Sequence, residues 1–220
     1  MARNKHPEET VQKILEVSLR LFQEKGYEHT TIQDIVDALG MSKGAVYHHF
    51  KSKEAIYDRI TDLYYEQFDW FRDVTQLPGD TGLAKMRSLL QFLLSDPEKL
   101  GMDRFSASLT FDPKLVLLAL RSSISESAPI MRALIEEGNA DGSIHVAQPK
   151  ELSEAFMLLM NLWVGAFADT KDDFLAKLTF LWTFTQQAGL PLFNDELFST
   201  AERYYDHVIS PAADRFLHLG

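Results

Sequence analysis

Cysteine is missing from all 220 residues. Its absence excludes a disulfide scaffold, a thiolate zinc site and a cysteine nucleophile, and it fits a reducing compartment. Long apolar runs are scarce as well. The longest, FMLLMNLWVGAFA at 156–168, falls short of the roughly 18–20 residues that cross a bilayer. The opening MARNKHPEET has no apolar stretch of the signal-peptide kind. These absences lead us to expect a soluble, cytoplasmic protein with no membrane partner. Strand-like alternation is also nearly missing, so a sheet has little to build on. What is present is a globular composition, 45% hydrophobic and 25% charged, able to bury a core.

The formal charge is −10, an unpromising balance for a nucleic-acid binder until the chain is divided. Residues 1–55 hold 8 Lys/Arg against 8 Asp/Glu, with four of the seven histidines. Residues 56–220 hold 14 against 24 and carry the whole excess. A neutral, locally basic segment in front of an acidic bulk points to two parts with different partners.

Helical spacing runs through both parts. Val11, Ile14, Leu15, Leu19 and Phe22 recur at that spacing before Gly26. Thr31-x-x-Asp34 reads as a capping box that opens a helix carrying Ile32, Ile35, Val36 and Leu39 and closing at Gly40. A third helix is expected from about Lys43 to His49, and Ser52 caps a fourth that runs to about Val74, ~22 residues and ~33 Å long. Beyond LPGD at 77–80, five or six more helices are expected, punctuated by SDPEKLG, FDP, the Gly138–Gly142 turn, Pro149 and the GLP at 189–191. The fold class is all-α, with about nine or ten helices. The expected domains are a three-helix helix-turn-helix over 1–52 and a helical bundle over 53–220.

Residues 40–44, GMSKG, fit the G-x-S-x-G spacing of a hydrolase nucleophile elbow, with Ser42 as nucleophile. That motif needs a strand before the serine, whereas TIQDIVDALG is amphipathic at a 3.6-residue period. The same residues suit a tight turn between two helices, with Gly40 at a left-handed C-cap and Ser42 capping the next helix. On the wheel of that helix Val46 and Phe50 face a small core. Gly44 and His48 face outward, flanked by Ala45 and Tyr47. The outward face suits a major groove, where glycine and alanine permit close approach and Lys43 can reach a base edge or a phosphate.

The stretch TIQDIVDALGMSKGAVYHHFKSKEAI, residues 31–56, resembles the DNA-binding signature of the TetR/AcrR family of transcriptional regulators. Val36, Met41 and Ile56 depart mildly from its usual pattern, and the resemblance covers about residues 8–60. It implies no catalysis, metal or cofactor. It implies a homodimer on an inverted-repeat DNA operator, with Tyr47, His49 and Lys53 at phosphate-holding positions. Thr31 and Ser42 would add phosphate contacts from helix starts, and His48 would contact either a base or a phosphate.

The resemblance also implies a four-helix dimer interface, for which residues 149–168 and 171–188 are apolar enough on several faces. The second part would sense a small, largely apolar effector that releases a repressor from its operator. Candidate ligand-binding residues are Phe68, Phe71, Met86, Met102, Arg104, Phe105, Met131, Asn161 and Trp163. Trp70 and Phe92 are further aromatic candidates. Two alternatives stand beside this reading. The second part could serve only dimerisation or a protein partner, or the chain could be a serine hydrolase using Ser42.

Overall fold

The computed structural model describes residues 7–27, 29–68, 73–106, 113–165, 167–168 and 170–210. Among these the regular structure is helical throughout, with no strand, and no helix is long and apolar enough to cross a membrane. Contacts divide the chain into two compact units, Met1–Arg72 and Asp73–Gly220.

In the first unit, α1 (Pro7–Lys25) ends at Gly26, whose φ is 83°. Helices α2 (Ile32–Leu39), α3 (Lys43–His49) and α4 (Lys53–Glu66) follow. Their apolar stripes meet in one small core built from Ile14 and Phe22 of α1, Ile35 of α2, Val46 of α3 and Ile56 of α4, each 0% exposed. Because α4 packs against α1, the first unit reaches past the 52/53 division proposed from sequence.

Helix α4 is also shorter than its expected run to Val74. It closes at Glu66, where the Phe68 N–H donates to the Tyr65 carbonyl three residues back, a tightening common at helix ends. Val74 belongs instead to a separate 3₁₀ turn, Val74–Gln76. That turn is opened by extended Asp73, whose carboxylate accepts the Thr75 N–H at 3.0 Å. Aromatic periodicity does not mark this later turn, because it carries no information about Asp73, whose side chain competes for backbone donors.

In the second unit, α5 (Gly82–Ser95) and α6 (Pro97–Ser106) come first. Helix α7 comprises Pro113–Ser122, a π-helical turn Ser123–Ser127 and Ala128–Asp141. Helix α8 is Pro149–Leu158 running into a second π turn, Leu159–Val164, and α9 is Lys171–Gln187. Helix α10 is Asp195–Tyr204, also ending in a π turn, Tyr205–Ile209. The π turns of α7 and α8 are tied together, with Asn161 Nδ2 donating to buried Ser123 Oγ at 3.1 Å.

Gly138 does not open a turn as expected. It lies inside α7 and is buried, while Gly142, at φ 79°, is the left-handed cap. The reason is a close helix crossing. A Cβ on Gly82 of α5 would stand 2.5 Å from the Leu134 carbonyl oxygen and 2.6 Å from Gly138 Cα. Polar bonds lock the crossing. The Gly82 N–H donates to Asp141 Oδ2 at 2.7 Å, and Lys85, only 8% exposed, pairs with Glu137 at 2.6 Å. Removing one partner of so enclosed a pair leaves the other charge uncompensated.

Gly82→Ala would force two backbones apart and should cost about 1–3 kcal/mol, as core overpacking does. Thermal unfolding of the variant tests this, and a melting temperature equal to that of the parent would refute the crossing.

Candidate nucleic-acid interface

The interface begins with the turn between α2 and α3. Gly40 sits at φ 62°, ψ 27°, where a side chain is penalised. Its N–H donates to the Asp37 carbonyl at 3.2 Å and that of Met41 to Val36 at 3.3 Å, the paired bonds of a Schellman cap. Ser42 then opens α3, its Oγ accepting the Ala45 N–H at 3.3 Å. Ser42 therefore follows a helix and a cap rather than a strand, and the hydrolase elbow lacks the geometry that strains its nucleophile.

Helix α3 is oriented by Val46, which is 0% exposed, and by Phe50, the extended residue that ends it. The opposite face carries exposed Lys43, Gly44 and His48, with half-buried Ala45, Tyr47 and His49 beside them. Lys43 Nζ lies 5.8 Å from the centre of the Tyr47 ring, and the His48 and His49 rings meet edge-on at 5.1 Å. The structure thus brings together six of the nine residues expected at DNA on one exposed helix. Around Gly44 a Cβ would meet nothing within 4 Å, so the fold itself does not require glycine there.

Thr31 and Lys53 both carry bonds within the chain. The Thr31 N–H donates to Asp34 Oδ2 at 2.8 Å, and the Asp34 N–H donates back to Thr31 Oγ1 at 3.1 Å. The Thr31 hydroxyl also donates to that carboxylate, so Asp34 engages both donors of this exposed residue. The Thr31 hydroxyl first, and the Lys25 ammonium at 2.9 Å next, hold the Asp34 carboxyl well below the usual carboxylate range. A depressed carboxyl contributes its stability above the ordinary value near 4, and loses it as pH falls through the lowered one. The cap therefore persists through mildly acidic solution.

Lys53 Nζ donates to the Tyr27 carbonyl at 2.6 Å and stands 3.9 Å from the centre of the Tyr27 ring. It pins the start of α4 to the chain after α1. Sequence reasoning passed over Tyr27 and Lys25, whose partners lie 26 and 9 residues away, and also Lys51, whose Nζ donates to the Tyr47 carbonyl at the end of α3.

The expected ligand residues are scattered through the structure. Met86, Met102 and Met131 of the second unit are buried. Half-buried Trp163 meets Phe180 edge-on at 5.5 Å, and Asn161 is held by Ser123. Arg104 is exposed, its Nε donating to the His207 carbonyl at 2.7 Å. Phe68 lies in the first unit, edge-on to Tyr64 at 5.3 Å. Half-buried Phe92 lies on α5. Trp70, Phe71 and the Phe105 side chain are outside the described residues.

A glycine-hinged helix pair that presents a small-residue face with a lysine at its start defines a helix-turn-helix DNA-binding protein. The family model described as "Bacterial regulatory proteins, tetR family" matches residues 14–60 and places that segment in the family. It is 27% identical over 151 residues to the HTH-type transcriptional repressor KstR2 of Rhodococcus jostii (strain RHA1), covering 66% of this chain and 72% of that one. It is 32% identical over 81 residues to the IcaR negative regulator of the biofilm operon of Staphylococcus aureus (strain Newman), covering 37% and 42%. Less than half of IcaR is therefore spanned. Among solved structures, Salmonella enterica GusR superposes with a TM-score of 0.60 at 22% identity, covering 85% of this chain and 99% of that one. That likeness establishes the fold.

Three substitutions separate the roles of these residues. Gly44→Ala should raise the stability of the free protein by up to about 1 kcal/mol and weaken DNA binding about tenfold by adding a methyl at the groove. Lys53→Met should lower stability by about 1–3 kcal/mol. Lys43→Ala should leave stability within about 0.5 kcal/mol and flatten the salt dependence of DNA binding by about one counterion. Melting curves and titrations at several salt concentrations measure all three. A Gly44→Ala protein that binds DNA as tightly as the parent would remove α3 from the groove.

Proposed function

We propose that the protein is a transcriptional repressor that acts as a homodimer on an inverted-repeat operator and leaves it when a small, largely apolar effector binds the second unit. The observation that carries this reading is the exposed α3 face, in which Lys43, Gly44, Ala45 and His48 are presented by a rigid, capped turn. One such seven-residue helix reads few base pairs, and two-fold pairing doubles the site. The names of KstR2 and IcaR, a repressor and a negative regulator, support the sign of regulation. No catalytic role is assigned to Ser42.

The second copy has a face to meet. Phe167 and Phe180 are 51% and 54% exposed, and Phe180 meets Trp163 edge-on where α8 and α9 come together. Exposed aromatics of this size, clustered on one face, suit an interface between subunits. The effector would bind among the buried methionines and aromatics of the second unit, Met86, Met102 and Met131 foremost. Binding there would act on DNA affinity through the chain that joins α4 to α5. A coupling of ~1–3 kcal/mol gives a shift of roughly 5–150-fold. The division of labour proposed is DNA reading within residues 1–52, with sensing and dimerisation beyond.

Selection from a library of random duplexes, read by sequencing at two salt concentrations, tests the reading. An enriched inverted repeat whose affinity falls steeply with salt is the expected result. Enrichment of single half-sites only would overturn the dimer, and no enrichment would overturn sequence-specific reading.

A further inference from the structure

Helix α9 has two unlike flanks. At helical spacing Lys177, Phe180 and Phe184 share one, where Phe180 meets Trp163 and stacks on Phe184. Thr179, Trp182, Thr183 and Gln186 share the other. They border a groove of about 440 Å³ whose remaining lining comes from Arg87 of α5 and from residues 191–195. We propose that this groove is a binding site for a planar aromatic monocarboxylate, distinct from the interior of the bundle and from the aromatic flank assigned to the second copy.

Arg87 carries the argument. Its Nε donates to the Leu192 carbonyl at 3.0 Å and its Nη2 to the Pro191 carbonyl at 2.7 Å. Two backbone carbonyls thus fix the guanidinium plane while leaving Nη1 and the second Nη2 hydrogen for another acceptor. Among the described residues no carboxylate pairs with this half-buried cation, unlike Lys85, Lys99 and Lys171 of the same unit. A rigid, uncompensated guanidinium at the wall of a groove matches a carboxylate and loses little freedom on binding it.

The ring of the ligand has its own surface. Half-buried Trp182 lies 5.6 Å from Phe198 and 6.3 Å from Phe193, the latter only 4% exposed and itself part of the lining, so the aromatic wall is held by its neighbours. Flat apolar ligands gain from such a fixed face. The volume lies within the ~300–1,000 Å³ range of small-molecule sites. Asp195 on the rim restricts the ligand to a single negative charge, since a second anionic group would meet it.

The test is calorimetric titration of the full chain with 2-naphthoate and with its neutral analogue 2-naphthylmethanol. One site per chain is expected, with the acid bound at least about tenfold more tightly than the alcohol, as for a charge-assisted hydrogen bond. Arg87→Gln should abolish that preference. Because Arg87 also holds residues 191 and 192, Thr183→Trp, at an exposed position, serves as the second variant. It fills the groove, leaves Arg87 in place, and should prevent binding at an unchanged melting temperature. No binding by the parent at millimolar naphthoate, equal binding of acid and alcohol, or unchanged binding to Thr183→Trp would each overturn the proposal. None of these results bears on DNA recognition, which rests on the first unit.

Discussion

The left-handed residue at position 40 sets the relation between α2 and α3, and with it every contact α3 can make. A Cβ there would meet no neighbour, so the requirement is one of backbone conformation and not of space. The two Schellman bonds draw Met41 back over the last turn of α2, and the chain re-enters a helix at Lys43 after only Met41 and Ser42. A connection this short leaves little freedom in the angle between the helices. Val46 and Phe50 then need only reach the core of α1 and α4 for the opposite face, from Lys43 to His48, to be presented to solvent.

The cations around that face divide into two sets with different work. Lys25 neutralises the Asp34 cap, Lys51 closes the end of α3, and Lys53 stacks on Tyr27. All three stabilise the helix-turn-helix. Lys43 extends past Tyr47 at the start of α3 and is left for a base edge or a phosphate. With an N-terminal segment balanced at zero and −10 on the remainder, bulk attraction to DNA is modest. On the proposed reading, affinity then comes from close fit at the groove and from doubling of the site, with Gly44 and Ala45 contributing beside Lys43.

Much of the first unit was legible because its information is local. Caps at Thr31, Ser42 and Ser52, the glycine stop at 40 and the 3.6-residue stripes each involve residues within a few positions of one another. What escaped reading depends on distant partners. The bond from Lys53 to Tyr27, 26 residues away, is not visible from its neighbours in sequence. Gly138 looked like a turn because a glycine needed by a crossing helix and a glycine needed by a bend have the same appearance in sequence. Met86 and Met131 fit both a core and a pocket lining, since apolar periodicity gives the direction of burial and not the presence of a cavity. The Arg87 groove joins positions 87, 182 and 193 from three separate segments, so no local pattern could mark it.

Absence of a side chain serves opposite ends in the two units, and the surroundings tell them apart. At Gly82 the missing Cβ is filled by the backbone of α7, so the glycine is held there by packing. At Gly44 nothing within 4 Å takes up the space, and a helix would be steadier with alanine in its place. A residue that weakens its own helix and makes room for no intramolecular neighbour supports the proposal that something outside the chain approaches there. The backbone of α3 is open toward solvent at that point, as the proposed approach of a DNA groove requires.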